Sequence, residues 1–64
     1  MFKVECEKFE TFLDAEDYAK NLIIGLPYGE HIMIETRMGD ESDSYWEPTH
    51  RVERDRGGKP VVRR

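Results

Sequence analysis

The segment Thr11–Ile24 constrains the fold more than any other, because it is the one long stretch with helical periodicity. Its apolar residues recur at steps of three and four, so they share one face of a helix. Thr11 and Asp14 resemble a capping box at the start, and Gly25 followed by Leu26-Pro27 predicts the end, with Gly25 as a left-handed cap. A single helix with one apolar face needs a second layer, which we expect to be a sheet.

Three segments with alternating apolar and polar residues predict strands on either side of this helix. They cover residues 2–7, 30–38 and 45–53, and Pro48 inside the last one indicates an edge strand or a nearby bulge. Residues 57–64 follow a glycine-rich turn and are predicted to form a basic last strand or a tail. The predicted core contains Phe2, Val4, Cys6, Phe9, Phe12, Ala15, Ala19, Leu22, Ile23, Ile32, Ile34, Trp46 and Val52.

The order β-α-β-β, with a possible last strand, predicts a single α+β domain over residues 1–64. One helix should pack on one face of a three- to four-stranded, mostly antiparallel sheet. Because the helix runs back against the first strand, the second strand should point the same way as the first. The second sheet face is then uncovered, either as solvated surface or as a docking surface. The predicted partner-binding residues on it are Met33, Glu35, Arg37, Tyr45, Glu47 and Arg51.

Charge is divided unevenly along the chain. Residues 1–47 contain 12 acidic and 4 basic side chains, whereas residues 48–64 contain 6 basic and 2 acidic ones. The basic segment is suited to phosphate contacts, but the acidic remainder would repel a polyanion. We therefore expect direct nucleic-acid binding only as an alternative, and docking of the acidic residues on a basic protein surface as the preferred mode.

The candidates for chemistry do not form a catalytic group in the predicted register. His31 and His50 fall on opposite faces of their strands, and Cys6, the single cysteine, occupies a core position. Residues 40–44 are acidic but lack the spacing of a calcium loop, so a solvated hairpin loop is predicted. We expect no enzyme, no cofactor and no metal site, and Trp46 is expected in the core.

The lone cysteine and the absence of a signal segment or a membrane-spanning run predict a cytoplasmic protein. The segments Phe9–Leu22, His31–Glu35 and Tyr45–Glu47 together resemble a pattern in small phage and mobile-element proteins, in which an alanine-spaced helix precedes a tryptophan-bearing hairpin. Such proteins include anti-CRISPRs, RNA-polymerase inhibitors and other host-takeover factors. The resemblance assigns no functional residue, but it implies a location in an infected or host cell.

The favoured function is therefore a non-catalytic protein-binding module, a phage-type inhibitor that occupies a surface of a host enzyme or immune complex. Its partner would be a host protein or a protein–nucleic-acid complex, and no membrane contact is expected. Two alternatives stay open. One is a nucleic-acid-associated protein that uses the basic C-terminal segment, and the other is an accessory or structural subunit or a homodimer.

Overall fold

The structure belongs to the predicted class, but its sheet has more strands than predicted. The computed structural model describes residues 1–64. All neighbouring strands pair antiparallel in the order β2-β1-β3-β4-β5, and the helix packs against one face. The fold is α+β, as predicted, but the sheet has five strands rather than three or four. The elements are β1 (Phe2–Val4), β2 (Glu7–Phe9), α1 (Phe12–Ile24), β3 (His31–Met38), β4 (Tyr45–Arg54) and β5 (Pro60–Arg63).

The additional strand arises because residues 2–7 do not form one continuous strand. The chain reverses at Glu5, whose φ of 55° lies in the left-handed region, and Val4 pairs with Glu7 across the turn. The hairpin places Phe9 opposite Phe2, so both rings lie on the helix side of the sheet. Cys6 is exposed in the turn. The prediction of a buried Cys6 is therefore wrong, because the reversal ends the alternation before that residue.

The same reversal changes the direction of the neighbouring strands. β3 runs antiparallel to β1, with Val4 opposite Ile34, so the expected parallel relation of these two strands is wrong. β2, which leads into the helix, does point the same way as β3, with β1 between them. The strand that leads into the helix is therefore parallel to β3, as expected, but that strand is β2 and not β1.

The helix begins and ends where predicted, after Thr11 and at Ile24, but its C-terminal cap has a different conformation. The Thr11 hydroxyl accepts a hydrogen bond from the Asp14 backbone N–H at 3.2 Å, which caps the first turn. At the other end Gly25 has a φ of −83° and its N–H donates to the Leu22 carbonyl at 3.1 Å. This short-range bond tightens the last turn without a left-handed residue, so the predicted left-handed cap is wrong.

The core lies between the helix and the strands that it covers. Half-buried apolar side chains close its margin, namely those of Phe2, Phe9, Phe12, Leu22, Leu26 and Val62. Val62 belongs to β5, which pairs with β4 and makes most of the basic end a strand rather than a tail. The fully buried residues are Val4, Ala15, Ala19, Ile23, Ile32, Ile34 and Val52.

A bulge in β4 decides which side chains reach the second sheet face. Ile34 pairs with His50 and Glu35 pairs with Pro48, so Thr49 is an extra residue between them. Its hydroxyl contacts the Thr36 hydroxyl at 2.6 Å and donates to the Ile34 carbonyl at 3.3 Å. Because of this extra residue, the side chains of β4 that precede the bulge point to the faces opposite to those that strict alternation predicts. The prediction that Trp46 is a core residue is therefore wrong, because its side chain turns to the uncovered face.

Candidate binding surface on the open face of the sheet

The uncovered side of the sheet is defined by strand register, since directly paired residues in an antiparallel sheet point to the same face. Ile32 and Ile34 are buried, so their side chains point to the helix side of the sheet. The residues next to them along β3 therefore point to the opposite side. We call this second surface the open face. It carries Lys3, Lys8, His31, Met33, Glu35, Arg37, Trp46, Pro48, Arg51, Glu53, Val61 and Arg63.

The open face is basic although the chain is acidic. It has five lysine or arginine side chains but only two carboxylates, an excess of three positive charges on a chain of net charge −4. The other acidic residues lie elsewhere, in part on the exposed helix surface, where Asp14, Glu16 and Asp17 line a shallow depression with Lys20. Folding therefore separates two regions of opposite charge that the linear sequence does not separate in this way.

Ion pairs on the open face hold some of these cations in position. Glu53 contacts both Arg51, at 3.8 Å, and Arg63, at 3.5 Å, so one carboxylate is shared by two guanidinium groups. Lys3 lies 3.9 Å from Glu35. Such partly exposed pairs contribute little to stability, but they restrict where the side chains lie. The shared carboxylate leaves the Arg51–Arg63 pair with a net positive charge.

Trp46 is the aromatic group of the open face. Its ring is half-buried, and the Lys3 ammonium lies 5.0 Å from the ring centroid, within range of a cation–π interaction. Arg37 pairs with Trp46 across the strands and donates a hydrogen bond to the Ser44 hydroxyl at 3.0 Å. A planar aromatic side chain therefore lies between cations on a surface that the helix does not cover.

A shallow concavity adjoins the β4 bulge. Its volume is about 400 Å³. Met33 and Pro48 contribute apolar surface to it, while arginines from β4 and the end of the chain supply positive charge. Its lining residues are Met33, Pro48, Thr49, His50, Arg51, Arg63 and Arg64. The concavity joins a small apolar area to three guanidinium groups, a combination that is able to orient an anionic ligand.

The structure brings together only part of the predicted partner-binding set. Predicted members on the open face are Met33, Glu35, Arg37 and Arg51, whereas Tyr45 and Glu47 lie on the opposite side because of the Thr49 bulge. Their assignment to the same face as the other four is therefore wrong. The sequence contained one signal of this irregularity, since a proline inside a strand indicates a bulge. It did not indicate that the lysines of β1 and β2 and an arginine of β5 would join the same surface.

The histidines lie on opposite faces of the sheet, as predicted, whereas Cys6 is separate from them because it lies in a turn and not in the core. His50 packs against Phe12, with ring centroids 4.6 Å apart, and its Nδ1 lies 2.9 Å from the Thr49 hydroxyl. His31 is exposed on the open face, and Cys6 is in the β1–β2 turn. The three side chains belong to separate parts of the sheet and form no common group.

These features define a small α+β domain with an aromatic, basic open sheet face. No helix of the structure has the length and apolar character needed to cross a membrane. No protein-family model matches the chain, and no curated protein or solved structure shows significant similarity to it. The open face is therefore the feature of the protein from which a function is inferred.

Proposed function

We propose that this protein is a non-catalytic binding module that occupies a surface of a macromolecular partner with its open face. The observation that carries this proposal is the separation of charge described above. Five cationic side chains and Trp46 share a face that the helix leaves uncovered, while the helix presents acidic residues on the other side of the molecule. A surface of one sign favours rapid, oriented association with a partner of the opposite sign.

The open face also has the composition of a contact surface. Arginine and tryptophan are the residue types most often found at energetically dominant positions of interfaces, and Arg51 and Trp46 both lie there. Met33 and Pro48 add apolar area between the cationic groups. Five strands at a spacing of about 4.8 Å give the face a width of roughly 19 Å, which is enough to cover an extended segment of a partner.

The partner in this proposal is a host protein or a protein–nucleic-acid complex, and the protein acts as an inhibitor of phage type by occupying a surface of it. The division of charge along the sequence predicts docking of the acidic residues on a basic target. The charge of the open face supports the reverse polarity, in which an anionic target meets the cations of the sheet. The accessory-subunit and homodimer alternatives stay predictions, and the oligomeric state measured in solution tests the second of them.

Opposite charge reversals on the two sides of the molecule test this proposal. Arg51→Glu changes the open face by two charge units, and Asp17→Lys makes the matched change on the exposed helix surface. Each variant is compared with the wild type in a quantitative binding assay on the partner, with circular dichroism to verify folding. We expect Arg51→Glu to weaken binding at least tenfold and Asp17→Lys to leave it unchanged or slightly stronger. A loss of binding confined to Asp17→Lys would contradict the proposal.

A further inference from the structure

We infer that the group recognised by the open face is a single-stranded nucleic acid, with phosphates on the cationic side chains and a base on Trp46. This inference rests on the proposed function, because it uses the same surface, and it names the chemistry of the partner there. Single-strand binding surfaces typically combine a positively charged track for the backbone with aromatic side chains on which bases stack. The open face contains both.

The cations form a track that crosses the sheet. Lys8 on β2 pairs with Lys3 on β1 at one side, and Arg51 on β4 pairs with Arg63 on β5 at the other. Met33 of β3 lies in the same cross-strand row as the two arginines. Cationic side chains therefore occupy both halves of a surface roughly 19 Å wide. The β3 residue next to Lys3 is Glu35, which forms an ion pair with it. A nucleic-acid strand that passes from the lysines to the arginines therefore runs diagonally across the sheet, past Glu35 to Met33.

The arginine half of the track is suited to phosphate. Arg51, Arg63 and Arg64 line the concavity beside the bulge. Guanidinium groups present several N–H donors in a plane that matches phosphate oxygens, and Glu53 engages only part of the donors of Arg51 and Arg63. The concavity holds these groups next to the apolar surface of Met33 and Pro48, where a nucleotide can be partly shielded from water.

Trp46 supplies the stacking surface. The Lys3 ammonium lies over its ring, 5.0 Å from the centroid, so a base that stacks on this side takes the place of the ammonium, which is then available to the adjacent phosphate. Stacking of a base on an aromatic side chain does not depend on base identity. The expected selectivity is therefore for unpaired strands and not for a particular sequence.

The shape of the molecule disfavours a duplex as the ligand. The part of the structure narrow enough to enter a major groove is the β3–β4 hairpin, since a two-stranded ribbon fits there. Its connecting loop contains Asp40, Glu41 and Asp43, which would be repelled by the phosphates that line the groove. The basic surface lies on the flat face of the sheet and not on this loop.

An acidic peptide is also a poorer match. Extended peptides bind sheets mainly by adding a strand to an edge, where backbone groups are unpaired. The edges here are β2, with three residues, and β5, which begins with a proline that has no N–H. The cations and Trp46 lie on the face of the sheet, where side chains and not backbone groups make the contacts.

The acidic residues of the helix do not prevent this binding. At physiological ionic strength the Debye length is about 8 Å, and a helix about 10–12 Å thick separates its outer surface from the sheet. Asp14, Glu16 and Asp17 therefore lie on the far side of a layer thicker than the screening distance. The expected repulsion of a polyanion assumed that the acidic and basic groups lie close together. In the folded protein the acidic helix surface and the basic open face are separated, so this assumption does not hold.

Trp46 allows a direct test, because it is the only tryptophan of the chain and its fluorescence reports on this site alone. The wild-type protein is titrated with oligo(dT) and oligo(rU) of about 12 nucleotides, within the usual length range of single-strand sites. We expect quenching of the tryptophan emission by either polymer. The affinity should fall as salt is raised, in proportion to the number of phosphates contacted.

Variants then separate the roles of the residues, with binding followed by the anisotropy of a fluorescein-labelled oligonucleotide. Trp46→Ala should weaken binding about tenfold or more through loss of stacking. Arg63→Ala should reduce the slope of log affinity against log salt by about 0.7, the value for one phosphate contact on a single strand. Lys20→Ala removes the same charge from the helix, where Lys20 pairs with Glu16, and should change neither quantity.

Several results would overturn the inference. Absence of quenching by both oligonucleotides would do so, as would tighter binding of a duplex of equal length. An effect of Lys20→Ala as large as that of Arg63→Ala would show that only overall charge matters. Binding of polyglutamate in place of the oligonucleotides would assign the open face to an acidic protein, and the proposed function would survive. The proposed function itself fails on a different result, full partner binding by Arg51→Glu.

Discussion

The two faces of the sheet differ in what restricts the residues that they carry. On the helix side the strands contribute Val4, Ile32, Ile34 and Val52, all buried against the helix. On the open face no residue is fully buried, and charged side chains predominate. Residues of the first face are restricted by packing, because any change of volume or polarity there costs stability. Residues of the second are free to vary without loss of the fold, so packing does not account for their charge pattern.

The largest expected effect on stability is that of a substitution in the core, on the helix side of the sheet. Ala19→Asp places a charge at a fully buried position without a partner. A domain of 64 residues has a free energy of unfolding of roughly 3–10 kcal/mol, so we expect loss of the folded state. Circular dichroism at 25 °C and a thermal melt measure this. Leu13→Asp is the matched control on the same helix, since Leu13 is 73% exposed, and it should retain a cooperative transition.

A second prediction compares one aliphatic residue of the helix side with the aromatic residue of the open face. Ile34→Ala removes a fully buried side chain and should lower the free energy of unfolding by about 3 kcal/mol. Trp46→Ala should lower it by only about 1 kcal/mol, although the deleted group is larger, because its ring lies on the open face. Urea denaturation of both variants measures the difference. A larger loss for Trp46→Ala would return this residue to the core and would refute the bulge.

The contribution of the Thr49 hydroxyl to the stability of the bulge is tested by removing it. Thr49→Val removes the contacts of Thr49 with Thr36 and with the Ile34 carbonyl, and we expect a loss of about 1–2 kcal/mol. A double-mutant cycle with Thr36→Val isolates the pair, and the coupling energy should be about 1 kcal/mol. Additive effects of the two substitutions would show that the two hydroxyls do not interact and that something else holds the bulge.

The smallest expected effect concerns the turn between β1 and β2. Because Cys6 is exposed there, Cys6→Ser should change the free energy of unfolding by less than about 0.5 kcal/mol. The native thiol should react with Ellman's reagent about as fast as the thiol of the denatured chain. Slow labelling of the native protein, accelerated by denaturant, would instead indicate the continuous first strand that the alternation of residues 2–7 predicted.

The sequence was sufficient for the elements whose signals are local. The helix start at Thr11 depends on a side chain that bonds its own first turn, and the buried positions Ala15, Ala19 and Ile23 follow from helical periodicity. The alternation of β3 likewise places Ile32 and Ile34 in the core. These features need no information about which strand pairs with which, so they were predicted correctly.

Features that depend on pairing were not predictable in the same way. The turn at Glu5 lacks glycine or asparagine, the usual signals for a positive φ, so the hairpin was missed. Pro48 indicated irregularity in β4 but not that Thr49 would be the extra residue. One residue of register decided whether Trp46 lies in the core or on the surface. The basic open face emerges only when β1, β2 and β5 are aligned beside β3 and β4.

The central claim is that the open face, and not the helix surface, binds the partner, and side-chain NMR during a titration with oligo(dT) tests it most directly. The Trp46 indole N–H and the Met33 methyl group report on the open face, and the methyl groups of Leu13 report on the exposed helix surface. We predict progressive shifts of the Trp46 and Met33 signals with those of Leu13 unchanged. Shifts of the Leu13 signals, with those of Trp46 and Met33 unmoved, would contradict the account.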